Sequence, residues 1–415
     1  LAINHDDPFR TAMAFTQTAQ HQMLVKKSMP ALITTGADEA LPYLTSNKFA
    51  YKCPFEKAVV KEITKDYMII EDSKTKERDF IDLRTNIQKN SDGGFYITIK
   101  LDPTVKVGQK IEANDIIAYD KQSYSNAIGN RGKGASPFNI SYNMGTLAKV
   151  AIMNTDLGYE DSCVVDNSIS EALESKVDVQ KDVSLDKSSN VYNIVSVGDH
   201  VQEGDPLLIF QDAFDEKEAN ELLKNITDDN ADGLSDLGRK PVRAKMTGQI
   251  TDIRIYRTCN DEELSPTLLK IVKEYDARIN KLKKVMRKNG VDKEYTLEAT
   301  SKLPPEGKLK HLDGVRIEFY IEVNDKFGIG DKLVFSQALK GVNSYIVPKG
   351  EEAFTDYRKD EYVNAFLTIS GVMGRMVPSA LLQGLLNKLI LETSRQCQEE
   401  LGIKPRMLNE ILADL

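Results

Sequence analysis

An eleven-residue pattern occurs twice in this chain, 90 residues apart: Val107-Gly-Gln-Lys-Ile111-Glu-Ala-Asn-Asp115-Ile-Ile117, then Val197-Gly-Asp-His-Val201-Gln-Glu-Gly-Asp205-Pro-Leu207. Each copy reads as a short strand, a turn and a second strand, with the apolar residues facing one core. A hairpin this small cannot bury its apolar side unaided. Ala244-Lys-Met-Thr-Gly-Gln-Ile250 supplies the return arm of the second copy.

This is the pattern of barrel-sandwich-hybrid modules such as lipoyl and biotinyl carriers. A carrier needs a modifiable lysine at a fixed place on the hairpin tip, and neither copy has one there. The repeat is read as a structural β-module. Runs at 59–60, 67–70 and 95–99 add strands within 51–120, and Val315 to Val323 alternates apolar with charged residues.

Two long helices are predicted. Ser265 is an N-cap and Pro266 the first residue of one that stops at Asn289-Gly290. Leu268, Ile271, Tyr275, Leu282 and Val285 mark its apolar face. From Lys270 to Lys288 it carries eight Lys or Arg against two acids, Glu274 and Asp276. That is either a solvated basic face or an arm that approaches nucleic acid or an acidic partner. The other helix, 378–400, is too rich in Leu to stand in water and is expected in a core or against a partner. The fold class is α+β and multidomain, with mixed sheets, β-modules and a C-terminal helical segment.

The 415 residues carry 55 Lys plus Arg and 63 Asp plus Glu, a net charge of −8. A globally basic nucleic-acid coat is excluded, so such contacts come from local patches. The longest apolar run, 365–374, is halted by Arg375, short of the roughly 18 to 20 residues of a membrane span. The opening residues 1–7 show no basic-then-apolar signal pattern. Cys53, Cys163, Cys259 and Cys397 form no C-x-x-C pair and are expected as reduced, buried thiols. His5, His21, His200 and His311 form no H-E-x-x-H, which argues against a zinc hydrolase. The loop at 129–134 has Gly134 where a phosphate-binding Walker A loop needs Ser or Thr after its lysine.

Four places could hold chemistry: His5-Asp6-Asp7 with Arg10 and Gln20; Gly158-Tyr159-Glu160-Asp161-Ser162; Gly330-Asp331-Lys332 with Lys340-Gly341; and Gly371-Val372 with Arg375-Met376. Singly, each also reads as a turn or a surface charge. Together they combine acidic oxygens suited to a hard cation with cationic groups suited to phosphate, the requirements of metal-assisted phosphoryl transfer.

In order and spacing these motifs resemble the C-terminal half of the beta (second-largest) subunit of multisubunit DNA-directed RNA polymerases, over about residues 5 to 400. His5-Asp6-Asp7 with Arg10 and Gln20 resembles H-D-D-x-x-R and its later Gln; 34–39 resembles V-G-T-G-x-E; Gly158 to Ser162 resembles G-Y-x-E-D-S/A. Lys332 and Lys340 fall on the lysines of G-D-K-x-x-x-R-H-G-x-K-G-V, and Gly371 to Met376 resembles G-V-P-S-R-M. Between the two lysines the chain lacks Arg-His-Gly and carries Gln337, Ala338 and Leu339; Met373-Gly374 replaces Pro-Ser.

The resemblance implies one piece of a split, divergent beta subunit of the kind found in giant tailed phages, working in the host cytoplasm, with plasmid-borne polymerases as the other source. It implies five segments: 1–50 lining the active site, 51–181 a β-rich core, 182–312 a flap with a helical arm, 313–345 the G-D-K loop region, and 346–415 the C-terminal helices. Glu160 and Asp161 would lie near a second magnesium; Arg10, Arg375 and Gln20 would bind the ribonucleoside triphosphate; Lys332 and Lys340 would hold phosphates at the RNA 3′ end. The implied partners are a beta-prime-like chain carrying the Asp triad that holds Mg2+, an N-terminal beta-like chain, a promoter-specificity factor at the flap, template DNA and nascent RNA, with no membrane. The alternative is a non-catalytic nucleic-acid-binding or assembly protein derived from that fold.

Overall fold

The two copies of the repeat adopt one geometry. A computed structural model of the chain describes residues 5–17, 23–33, 37–89, 96–126, 138–143, 145–212, 239–291, 300–356 and 361–402. In both copies the second residue is a left-handed glycine, Gly108 at φ +83° and Gly198 at φ +100°. The eighth residue is left-handed as well, Asn114 at +66° and Gly204 at +91°, conformations that Gly and Asn tolerate. Gly108 N donates to Val60 O and Gly198 N to Ile250 O, both at 2.8 Å. The Asp115 carboxylate accepts from Glu112 N at 2.7 Å, and that of Asp205 from Gln202 N at 2.8 Å. The return arms reach the copies from opposite directions in sequence. Cys53 to Val60 precedes the first copy; Ala244 to Ile250 follows the second.

The architecture is mixed α+β. A six-stranded antiparallel sheet runs, in spatial order, His200–Val201, Gly248–Arg257, Gly314–Asp325, Ser175–Asp186, Tyr96–Ile99, Asn86–Lys89. Its central pair keeps unbroken register from Ser175↔Asp325 to Asp186↔Gly314. Inward side chains such as Ile317, Phe319 and Ile321 join Leu207, Leu208 and Ile250 of the second module in one core. The first module builds its own core around Met68, Ile70, Ile111 and Ile117. The expected boundary at 181/182 falls inside Ser175–Asp186, and that at 345/346 inside Leu339–Val347.

Among the described residues the helices are α1 (Pro8–Thr16), α2 (Ala37–Leu44), α3 (Asn167–Ala172), α4 (Pro266–Lys288), α5 (Ile369–Met373) and α6 (Pro378–Leu401). Helix α4 starts as expected, with Ser265 Oγ accepting from Leu268 N at 3.3 Å and Pro266 in the first turn. Its buried stripe is Leu268, Val272, Tyr275, Ile279, Leu282 and Met286. Ile271 and Val285, expected in that stripe, lie at its flanks and are half-buried, because each sits one residue off the line of alternating steps of four and three.

Nor is α4 a free arm. Leu268 to Ile279 pack into the core of the second module, while Leu282 and Met286 pack against Ile69 and Phe80 of the first. Arg78 Nη1 donates to Asn289 Oδ1 at the helix end at 2.8 Å.

Beyond its first turn, where Ala380 joins Leu339 and Val377, helix α6 joins no hydrophobic core among the described residues. Ser379 and Ala380 are its only buried residues among those described, while Leu381, Leu385 and Leu389 are 41%, 67% and 59% exposed. No described helix is long and apolar enough to cross a membrane. Cys53, Cys163 and Cys259 are buried and Cys397 half-buried; burial pushes the Cys163 thiol up to about 11.

Candidate functional site

A five-stranded sheet explains why distant motifs meet. Its order is Val150–Ile152, Ala365–Leu367, Ser162–Asp166, Leu339–Val347, Lys332–Phe335. Leu339–Val347 runs parallel to Ser162–Asp166, so both begin at the same end of the sheet. Ala365–Leu367 runs antiparallel to Ser162–Asp166, so it finishes at that end. The residues just before 162, at the start of 339–347 and just after 367 are thereby gathered at one edge. They line a small cleft that includes Glu160, Asp161, Lys340, Thr368, Gly371 and Arg375.

Contacts across the cleft are specific. The Arg375 guanidinium forms an ion pair with the Asp161 carboxylate. The Asp161 carbonyl accepts from Val342 N at 2.9 Å, which ties the acidic pair to the strand carrying Lys340. Glu160 sits in the left-handed region at φ +48°. Its carbonyl accepts a hydrogen bond from the Thr368 hydroxyl, and the same hydroxyl accepts from Gly371 N at 3.2 Å, capping α5. A Cβ at Gly371 would lie 2.5 Å from the Glu160 carbonyl oxygen. This glycine is required by the close approach of two backbones.

The N-terminal motif docks beside the cleft. Ser379 N donates to Asp6 Oδ1 at 2.9 Å, and the Ser379 hydroxyl donates to Asp6 Oδ2. Asp7 N donates to Met376 O at 3.4 Å, and the Asp7 carboxylate caps α1 through Phe9 N at 3.1 Å. The acids at 6 and 7 thus join and cap helices.

Of the expected site residues, Glu160, Asp161, Lys340 and Arg375 share the cleft. Lys332 is outside its lining. It is exposed on the neighbouring strand, two pairs along from the Val334↔Lys340 pair, so both lysines project from one face of that hairpin. Arg10 is half-buried on α1, with its Nη1 3.6 Å from Met13 Sδ. Gln20 lies outside the described residues, as do 34–36, 129–134 and 213–238.

Thr368 was not anticipated. A Thr three residues before Gly371 is an N-cap signal, but its bond to Glu160 is not local in sequence. The Gln337 to Leu339 stretch serves packing: Ala338 and Leu339 are buried, and Gln337 Nε2 donates to Ser379 Oγ.

Among the described residues no group of three or more His, Cys, Asp or Glu is placed to hold a metal ion. Magnesium commonly takes one or two protein carboxylates and completes its shell with water and substrate phosphate oxygens. Glu160 and Asp161 fit that minor share. Asp161 engages Arg375 through Oδ1. No family model matches the chain, and no curated protein matches it.

Proposed function

We propose that this chain is a divergent beta-like subunit of a multisubunit DNA-directed RNA polymerase, contributing one wall of a nucleotidyl-transfer site. The observation that carries the reading is the meeting of residues 160–161, 340 and 375 in one cleft, with the 5–10 segment docked beside it. Arg375 offers paired donors to triphosphate oxygens, and Arg10 and Gln20 would assist it. Lys340, with Lys332 on the same hairpin face, would hold phosphates at the RNA 3′ end. Glu160 and Asp161 would face magnesium held mainly by a beta-prime-like chain, and that ion, when bound, offsets phosphate charge. The segment 182–312 would serve as the flap that meets a promoter-specificity factor.

The test is a pull-down from the native source followed by nucleotide incorporation on a primed RNA–DNA scaffold. Co-purification with a chain carrying the Asp triad, and extension lost in Lys340→Ala, support the reading. An isolated, inert chain refutes it.

One observation favours a second reading, a non-catalytic nucleic-acid-binding or assembly protein. Where the resembling family has Arg-His-Gly, this chain commits side chains to packing, including buried Ala338. Under that reading the complex extends RNA equally well with Lys340→Ala.

A further inference from the structure

The exposed side of α4 carries a feature that the nucleotidyl-transfer reading does not use. At about 100° per residue, Lys270, Lys273, Lys281, Lys284 and Lys288 fall within a sector of about 80°, opposite the buried stripe. All five are exposed. The row is about 27 Å long at 1.5 Å per residue. No described carboxylate pairs with any of the five; Glu274, at the edge of the sector, is the one acid near the row. The other cations of the helix are differently placed: Arg278 pairs with Asp252 at 3.4 Å and lies over the Tyr275 ring. Both halves of α4 are fixed on cores, so the row is held straight and rigid.

We propose that this row is a binding site for the phosphodiester backbone of nucleic acid, independent of sequence. A protein interface draws on aromatic, Met and Arg anchors and is depleted in Lys; α4 exposes no large apolar side chain among its described residues. A lysine row without such anchors lacks the means to desolvate a protein partner. It suits a polyanion whose charges recur along a line and whose counterions are released on contact. On a chain of net charge −8 the row is a local cationic track rather than part of a basic coat. The proposal stands apart from the nucleotidyl-transfer reading, since binding needs neither a partner chain nor nucleotide.

The experiment measures binding of the full chain to labelled DNA duplex and, separately, RNA duplex by fluorescence anisotropy across a salt titration. The variants are Lys273→Gln/Lys281→Gln/Lys284→Gln and a control triple at exposed lysines elsewhere, Lys48→Gln/Lys106→Gln/Lys110→Gln. Polyglutamate and vesicles containing phosphatidylserine are the competing probes. For DNA duplex the stripe triple should reduce the slope of log affinity against log salt by about 2.7, at about 0.9 per phosphate contact, while the control triple leaves it unchanged. Equal loss on the DNA and RNA arms identifies backbone contact common to both; loss on one arm alone identifies which duplex is the ligand. An unchanged slope on both arms in the stripe triple, or the same loss in the control triple, overturns the proposal. So does tighter, stripe-dependent binding to polyglutamate, which would mark an acidic protein site, or to the vesicles, which would mark a lipid site.

Discussion

Arg375 and Asp161, far apart in sequence, are paired across the cleft with opposite exposures: the arginine side chain is 11% exposed and the aspartate 73%. An ion pair with one partner this open to solvent contributes about 0–1 kcal/mol to stability. Its weight falls on positioning. The largely buried guanidinium is held at the cleft and oriented by the Asp161 carboxylate.

Asp161→Asn should separate the two roles. We expect unfolding free energy within about 1 kcal/mol of the parent. Extension by the assembled complex should fall on the order of a hundredfold to a thousandfold, the usual cost of losing one preorganised charge. Equal losses of stability and extension would contradict the assignment.

Two glycines make a matched pair. Gly371→Ala places a methyl 2.5 Å from the Glu160 carbonyl and 2.8 Å from Thr368 Oγ1, and should cost about 1–3 kcal/mol through overpacking. Gly384, inside α6, has nothing within 4 Å of the same position, so Gly384→Ala should gain up to about 1 kcal/mol of helix propensity. Chemical denaturation of the two variants checks both signs.

Asp6→Ala removes the acceptor for Ser379 N at the start of α6. The expected loss is about 0.5–2 kcal/mol, that of a capping residue. Limited proteolysis near α1 should accelerate, since the same carboxylate tethers that helix.

Asp178 gives a pH signature. It is 1% exposed and accepts from the hydroxyls of Thr98 and Thr251; desolvation pushes its carboxyl above the ordinary carboxylate value, opposed by those two hydrogen bonds. The folded state therefore holds this proton more tightly than the unfolded chain does. Its contribution to stability is full below the unfolded value of about 3.9 and declines as pH rises through the window up to the raised folded value. Asp178→Asn should flatten the stability curve across that window, and melts at a series of pH values would show it.

The exposed leucines of α6 predict a binding defect. Leu385→Glu with Leu389→Glu should leave the melting temperature of the isolated chain nearly unchanged, because both side chains are already in solvent. The pair should abolish co-purification with a partner chain. Retained co-purification would show that this face is not the contact.

What was legible in the sequence was local. The repeat's turns follow from Gly and Asn at positions where the chain turns left-handed, and the start of α4 from Ser265-Pro266. Its buried stripe runs through Val272 and Met286 rather than the adjacent Ile271 and Val285, because neighbouring apolar residues offer two readings that only packing partners distinguish. The Leu-rich composition of α6 fits a core or a partner alike, since composition reports apolarity but not what lies opposite. The Thr368–Glu160 and Asp6–Ser379 bonds were illegible, because they are set by how strands order themselves in a sheet. Lys332 and Lys340, paired by motif, share a hairpin face but not the cleft, which required the strand register to see.

Helix α4 contributes four residues of its stripe, Leu268 to Ile279, to the core of the second module and two, Leu282 and Met286, to a cluster with Ile69 and Phe80 of the first. Neither module can open without stripping apolar surface from a rod that the other still grips. Heat should therefore melt them as one cooperative unit, and amide protons at Val272 and at Leu282 should exchange with the same free energy, a mechanical coupling carried by a single uninterrupted length of backbone.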